Sequence, residues 1–378
     1  MASLAMGWLV FDLTQSTLDL GILGAMTAVP AILLTIVGGV IADRFDKRLV
    51  LLTTTALNTT LLFGLAWLDW MGWVTVWQVW VVAGAISFVS GIDWPTRQSF
   101  FPHLIDRSGL LSAVALNSVL WQFTRMVLPA TGGVLLALYD TALIFVLAGL
   151  GYLIMFVVIF TIRMQLPGQQ HTSAWQQTLQ GIQFIWHNTM FRYLIVLSYA
   201  TMFFLSSYMQ IMPAFADLFA VGPTGFGVLM SATGVGSILG TLLVGALQPH
   251  QHYGWWMLGG AVFATIMLYG FAASALLPIF YLGLPLALLA ACGTSVFLIL
   301  STTAMQAQVP DELRGRVMGI HGITYSLMSL GGLLTGAIAQ TTGTALAVML
   351  TLVVYLMIVG WLGLSKHQIR EITGPSPA

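Results

Sequence analysis

Gly39-Val-Ile-Ala-Asp43-Arg44-Phe45-Asp46-Lys47-Arg48 holds five ionised side chains in its last six positions, between apolar runs at 18–41 and 49–68. Each run has the roughly 20 apolar residues that a bilayer-crossing helix needs. The stretch therefore reads as a short charged turn at a membrane face, joining two spans. Its charge density is unlike the rest of the chain. Of 378 residues, 58% are hydrophobic and 6% are charged, with 12 basic and 12 acidic side chains. A typical soluble domain carries about 25% charged residues. So few charges cannot coat a globule, and a balanced net charge gives no basic surface. A soluble enzyme, a disordered chain and a nucleic-acid binder are all excluded on that basis.

Working outward from the turn, further runs long enough to span lie at 73–92, 111–138, 142–162, 190–213, 225–247, 254–275, 277–303, 317–339 and 343–364. With the first two, that makes eleven. In lipid the backbone must satisfy its own hydrogen bonds, so these are helices and the fold class is an all-α polytopic membrane protein. The apolar start, Met1 to Phe11, has half the spanning length. It lacks a basic leader and a small-residue cleavage site, so it is not read as a signal peptide. It reads as the second half of a first helix, truncated at its beginning. Placing the 43–48 turn in the cytoplasm also puts Arg97, Arg107, Arg163, Arg192, Arg314, Arg316, Lys366 and Arg370 on that side, together with Arg44, Lys47 and Arg48. The twelfth basic residue, Arg125, falls inside a span, so the outer loops hold none. This split follows the positive-inside rule and predicts a cytoplasmic C-terminus. The lone cysteine, Cys292, excludes a disulfide framework and a cysteine metal site.

The spans group into two bundles of six. Residues 1–162 form the first, 190–364 the second, and 365–378 a cytoplasmic tail. The connection 163–189 begins as a linker. It then places Leu179, Ile182, Phe184, Ile185 and Trp186 on a broad apolar arc, as in a helix lying on a membrane surface. The bundles echo each other. Gln98-x-x-x-Pro102 recurs as Gln306-x-x-x-Pro310, and Gly132-Gly133 recurs as Gly331-Gly332. Ordered echoes in matching helices indicate a duplicated six-helix unit, the build of many secondary transporters.

The opening stretch resembles the signature loop of the major facilitator superfamily, Gly-x-x-x-Asp-Arg-x-x-(Arg/Lys)-Arg, at the position that family uses. Asp93-Trp-Pro95-Thr-Arg97-Gln98-x-x-x-Pro102, Ala115-Leu-Asn117-Ser118, Arg125-x-x-x-Pro129-x-x-Gly132-Gly133 and Pro310-Asp-Glu-Leu-Arg314-Gly315-Arg316 are similar to its enterobactin-exporter and macrolide-efflux branch. The resemblance covers essentially the whole chain. It implies the major facilitator fold, a multi-pass protein of the bacterial cytoplasmic membrane, and a latch on the cytoplasmic side. Gly39, Asp43, Arg44, Lys47, Arg48, Asp93 and Arg97 are the latch candidates, with Asp43 beside the start of the eleventh span and Arg44 paired to Asp93. The second-half counterpart of the loop reads Gln248-Pro-His250-Gln-His252 and lacks the charges.

Polar and small residues recur at helical spacing within several spans. Ser118, Gln122, Arg125, Pro129 and Gly132 share one face of the fifth; Tyr199, Phe203, Ser206, Gln210 and Pro213 one of the seventh; His321, Tyr325, Met328, Gly332 and Thr335 one of the eleventh. Polar groups at depth face the bundle interior or a cavity. Gln122, Arg125, Tyr199, Gln210 and Tyr325 are accordingly the candidates for a substrate cavity or for coupling, and Pro129, Gly132 and Gly133 form a fifth-helix motif. Gly236-x-x-x-Gly240 and Gly332-x-x-x-Gly336 read as helix-packing contacts, and His321 as a packed histidine. Gly234-x-Gly236-x-x-x-Gly240 lacks the spacing and the strand of a dinucleotide fingerprint, and His250 with His252 lacks the further ligands of a metal site. The reading predicts no enzyme, no cofactor, no metal and no nucleic-acid partner. It predicts a monomeric secondary transporter in contact with membrane lipid, exporting an amphiphilic small molecule such as a siderophore, a macrolide or another drug, with protons as the candidate coupling ion. A lysophospholipid or lipid flippase of the same fold, or a truncated membrane protein that does not transport, are the alternatives.

Overall fold

The computed structural model describes residues 1–100, 110–162, 174–247, 252–365 and 370. Within its helices the side chains of 35–44, of most positions from 110 to 126, of 174–178 and of 99, 130, 311 and 364 are not described. The first half contains α1 (Ala2–Thr14), α2 (Thr17–Arg44), α3 (Lys47–Trp70), α4 (Val76–Phe100), α5 (Leu110–Leu138) and α6 (Thr141–Thr161). A connecting helix, α7 (Ala174–His187), leads into the second half. There α8 (Thr189–Ala200), a π segment (Thr201–Leu205), a 3-10 segment (Ser207–Ile211) and α9 (Met212–Leu218) together make one crossing. It is followed by α10 (Gly222–Gly245), α11 (Tyr253–Leu276), α12 (Phe280–Gln308), α13 (Asp311–Gly322), α14 (Thr324–Thr342) and α15 (Thr344–Ser365). Ten of the crossings are long and apolar enough to span by length and composition; α1 and the described end of α5 are shorter apolar helices.

Local chemistry sets the boundaries. Asp46 of the charged turn caps α3 by accepting from the Leu49 amide at 3.0 Å, the usual way a helix start satisfies an orphan N–H. Asn188 does the same for α8, accepting from Met190 and Phe191. Gln15 closes α1 in the left-handed region at φ 51°, its N–H bonded to Phe11 O. The α14–α15 turn depends on Gly343 at φ 90°, a conformation that disfavours any side chain.

Three expected boundaries differ. The seventh span is not a continuous helix over 190–213. It loosens to a π turn at Thr201, tightens to 3-10 at Ser207 and restarts at Met212. Pro213 is the local cause: it has no N–H to donate four residues back and suits the first turn of a new helix. The eleventh span is two helices broken at Ile323 rather than one over 317–339, with Thr324 Oγ1 bonded to the His321 carbonyl at the break. The fourth runs on to Phe100, so Asp93 and Arg97 stand on its last turns rather than in a loop.

Within the first half α3 packs on α4 and α6; within the second, α12 packs on α10 and α11. The halves meet where α2 lies along α14 and α5 along α10. The turns at 15–16, 139–140 and 343 mark one end of the bundle, here the Asp140 end, and the charged turn marks the Asp46 end. On α7, Ile185 and Gly181 are buried while Leu179, Ile182 and Trp186 stay exposed. The predicted apolar arc is thus divided between the bundle and its surroundings.

Candidate functional site

The described contacts between the halves gather toward the Asp140 end, and small residues make them. On the α5–α10 seam, a Cβ added at Gly133 would stand 2.5 Å from Gly227 Cα and 3.0 Å from Pro223 O; one added at Gly227 would meet Pro129 O at 2.7 Å. Two backbones touch there with nothing between them. Gly132 faces the other way, onto Leu4 of α1. The fifth-helix motif Pro129, Gly132, Gly133 is therefore a packing surface for α10 and α1. Its echo acts alike on the α2–α14 seam. Gly21 approaches Leu333 Cα at 2.8 Å and Gly24 approaches Ser329 O at 2.7 Å by the same measure, while Gly336 abuts Thr17 O. Thr17 Oγ1 donates to Gly336 O at 3.0 Å, and Ser16 and Gln340 meet at 3.2 Å. Trp8 of α1 stacks on Phe226 of α10 at 5.9 Å between ring centroids.

Gln210, expected to line a cavity, crosses this interface. Its Nε2 donates to Leu20 O at 3.1 Å, and its stem lies over Gly24 and Gly332. The irregular backbone of the seventh span places it there and also presses the Phe203 carbonyl onto Gly331. Tyr199 donates its hydroxyl to Ile320 O at 2.8 Å, tying α8 to α13 just before the break. Tyr325 is 59% exposed in the first turn of α14 and is not brought to either.

Toward the Asp46 end the described Asp93, Arg97 and Arg48 are partnered within the first half. Asp93 is buried; it accepts from Thr54 Oγ1 at 2.7 Å and pairs with Arg97, whose Nε and Nη2 lie 3.0 and 2.5 Å from Oδ2. Its carboxylate thus holds α3 to α4; the expected pairing to Arg44 involves a side chain outside those described. Arg48 donates to the carbonyls of Ile159 and Phe160 at 3.3 and 2.8 Å, capping α6; Lys47 opens α3 beside it. Arg316 donates to Gln180 of α7, and Gly181 packs on Arg316 and Ile320. Gly39, Asp43, Arg44, Gln122 and Arg125 lie outside the residues whose side chains are described.

The second half also has a buried polar interior. Ser198 meets Ser301 at 3.0 Å, Thr201 meets Tyr355 at 2.8 Å, and Ser207 meets Thr335 at 2.9 Å. These hydroxyls tie the irregular seventh crossing to α12, α15 and α14. In the first half Asn58, fully buried on α3, has no partner for either amide atom among the described residues. Sequence reasoning missed Thr17, Gly21, Thr54, Asn58 and Gly227. Glycine spacing signalled some of them, but which helix they face depends on the tertiary arrangement.

The chain is similar to several known proteins. A family model described as transmembrane secretion effector matches residues 1–374. The multidrug efflux pump Tap of Mycolicibacterium fortuitum is 24% identical over 97% of this chain and 92% of its own length. The enterobactin exporter EntS of Shigella boydii is 24% identical over 89% of this chain and 81% of its own. Among solved structures, a bacterial homologue of the human lysosomal transporter Spinster, in an inward-facing and unoccupied conformation, superposes with a TM-score of 0.77 at 13% identity, covering 100% of this chain and 96% of that one. That likeness is one of fold.

Proposed function

The chain belongs to the transmembrane secretion effector family, within the major facilitator superfamily, and from that premise we propose that it exports an amphiphilic small molecule by alternating access. Membership makes it a multi-pass transporter of a bacterial inner membrane. The nature of the cargo rests on its relatives. Two of them, at 24% identity, are an efflux pump for drugs and an exporter of a siderophore, so a siderophore, a macrolide or a comparable drug is the substrate class. An ion gradient is the energy source in this reading.

The observation that carries the mechanism is the pair of seams. Backbone contacts at Gly133–Gly227 and around Gly21, Gly24 and Gly336 shut the Asp140 end. The charge split of the sequence assigns that end to the outside and the Asp46 end to the cytoplasm. In this reading a molecule closed outside receives its cargo from the cytoplasm, as export requires. Release then needs the two halves, 1–162 and 190–364, to rock so that both seams open. In this scheme Asp43 and Arg44, with Lys47, Arg48, Asp93 and Arg97 around them, latch the cytoplasmic side when it closes.

Accumulation of a panel of macrolides and catecholate siderophores, in cells lacking their own exporters, tests the proposal. Cells expressing the protein should retain less of at least one compound, and Asp43→Asn should lose the effect while inserting normally. Unchanged accumulation across the panel, at verified expression, would refute the export of such compounds.

A further inference from the structure

His321 is the penultimate residue of α13. It lies about four residues past Val317, where the apolar run begins, and at 1.5 Å per residue that is about 6 Å into a hydrocarbon core of about 30 Å. Its ring is buried. Nε2 lies 3.2 Å from Thr302 Oγ1 of α12, and Nδ1 lies 3.4 Å from Thr324 Oγ1, the first residue of α14. Both hydroxyls have a nearer partner. Thr302 Oγ1 donates to Leu298 O at 2.7 Å, and Thr324 Oγ1 donates to the His321 carbonyl. A hydroxyl has one proton to give, so each presents only lone pairs to the ring. A neutral imidazole has one N–H and one lone pair. In either tautomer one nitrogen would set its lone pair against that of a threonine. The imidazolium has two N–H groups and satisfies both contacts.

We infer that His321 is a proton-binding site, its occupancy read by the hydroxyls of Thr302 and Thr324, and that its proton is the ion coupled to transport. The coupling half of this rests on the export reading above. The surroundings suit a proton that is held and let go. From α8, Tyr199 gives its hydroxyl to Ile320 O; α7 brings Gln180 and Gly181 against Arg316 and Ile320. On α13 the charged groups are Asp311, Glu312, Arg314 and Arg316, all nearer the Asp46 end, and Tyr325 of α14 is exposed. α12 has no charged residue, and Tyr355 of α15 is bonded to Thr201. The ion pair found among the described residues is Arg97–Asp93, far from this ring in the other half. Two hydrogen bonds hold the proton, while burial with no counter-ion among the described residues weakens that hold. On release, one threonine must swing from its carbonyl to the bare nitrogen. Thr302 belongs to α12, and Thr324 to the helix whose Ser329, Leu333 and Gly336 form the seam with α2. Proton occupancy and seam geometry therefore act on one element.

Nuclear magnetic resonance of the purified full chain, with ring-15N histidine, tests the site without any substrate. The chain has seven histidines, and the resonance missing in His321→Gln identifies this one. If that variant does not fold, the resonance displaced by Thr302→Val identifies it. Over about pH 4 to 8 the ring should pass from two protonated nitrogens to one. Thr302→Val should lower the midpoint by about one pH unit, a tenfold loss of proton affinity. A ring that stays a single neutral tautomer throughout overturns the proposal, as does a midpoint that Thr302→Val leaves in place. In vesicles, His321→Gln should keep efflux down the substrate's own gradient and lose its response to an imposed pH gradient. A retained response overturns the coupling role. Failure of the wild type to move any substrate would count against the export reading alone, leaving the resonance to decide the site.

Discussion

Gly133→Ala adds one methyl where α5 meets α10, and the cost can be worked from the contact. The new carbon would stand 2.5 Å from Gly227 Cα and 2.9 Å from Gly227 N. Carbon atoms in comfortable contact sit about 3.5–4.0 Å apart, so the helices must part by about 1 Å or more. No rotamer change relieves the clash, because the opposing atoms are backbone. Overpacking of this kind costs about 1–3 kcal/mol, and here only in the state with the Asp140 end shut. The equilibrium should move about 5–150-fold toward the state open at that end. In the proposed rocking of the two halves, α2 should lift from α14 as well. Thr17, buried at 8% exposure and bonded to Gly336 O, is a reporter on that second seam. In a Cys292→Ser background, Thr17→Cys should react slowly with an impermeant maleimide applied to intact cells, and at least several-fold faster when Gly133→Ala is added. Gly64→Ala is the control: a Cβ there meets nothing within 4 Å, so labelling should not change. A folded, inserted Gly133→Ala protein with unaltered Thr17→Cys reactivity would refute the backbone-seam gate.

Three other outcomes follow from the same structure. Asp93→Asn leaves Arg97 without its charged partner and should lower stability by about 1–3 kcal/mol, read as a drop in melting temperature in detergent; Thr54→Val should cost about half as much, and the reverse ranking would show that the pair does not hold α3 to α4. A cysteine replacing Thr141 should react with an impermeant reagent from outside and one replacing His367 should not, since the basic residues assign the tail to the cytoplasm; the opposite pattern would invert the sidedness. Arg125, a charge at the centre of α5 that costs about 2.5–3.5 kcal/mol to insert, should tolerate Lys better than Gln in transport at equal expression if its charge is used; normal transport by both variants, with only stability reduced, would make it structural.

The length of apolar runs and the placement of arginines were enough to find nearly every crossing, because the bilayer imposes both rules on the sequence directly. The broken crossings were less legible. Ser206, Ser207 and Pro213 are visible signals of a break in the seventh, but hydropathy measures the side chains and is blind to a change in hydrogen-bond register. The split at Ile323 has still less signal, since Gly322 alone does not stop a helix. Gly332-x-x-x-Gly336 was rightly read as a packing face, yet nothing in one chain tells that its partner is α2 of the opposite half rather than a neighbour, as α12 is for Gly236-x-x-x-Gly240. Tyr199 shows the same limit. Its depth pointed to a cavity, and its hydroxyl serves the Ile320 carbonyl beside a helix break.

The bareness of the α5–α10 contact has a further consequence for tempo. A gate sealed by long side chains must freeze their rotamers at each closure and free them at each opening, at up to about 2 kcal/mol apiece. Glycine against glycine has no rotamers to freeze, and at Gly133–Gly227 no side chain stands between the two backbones. The two surfaces can meet and separate with little ordering of their own, so neither state becomes a deep trap. Drift in residues that select cargo leaves such a hinge surface untouched, and one gate can serve a lineage of pumps whose cargoes differ.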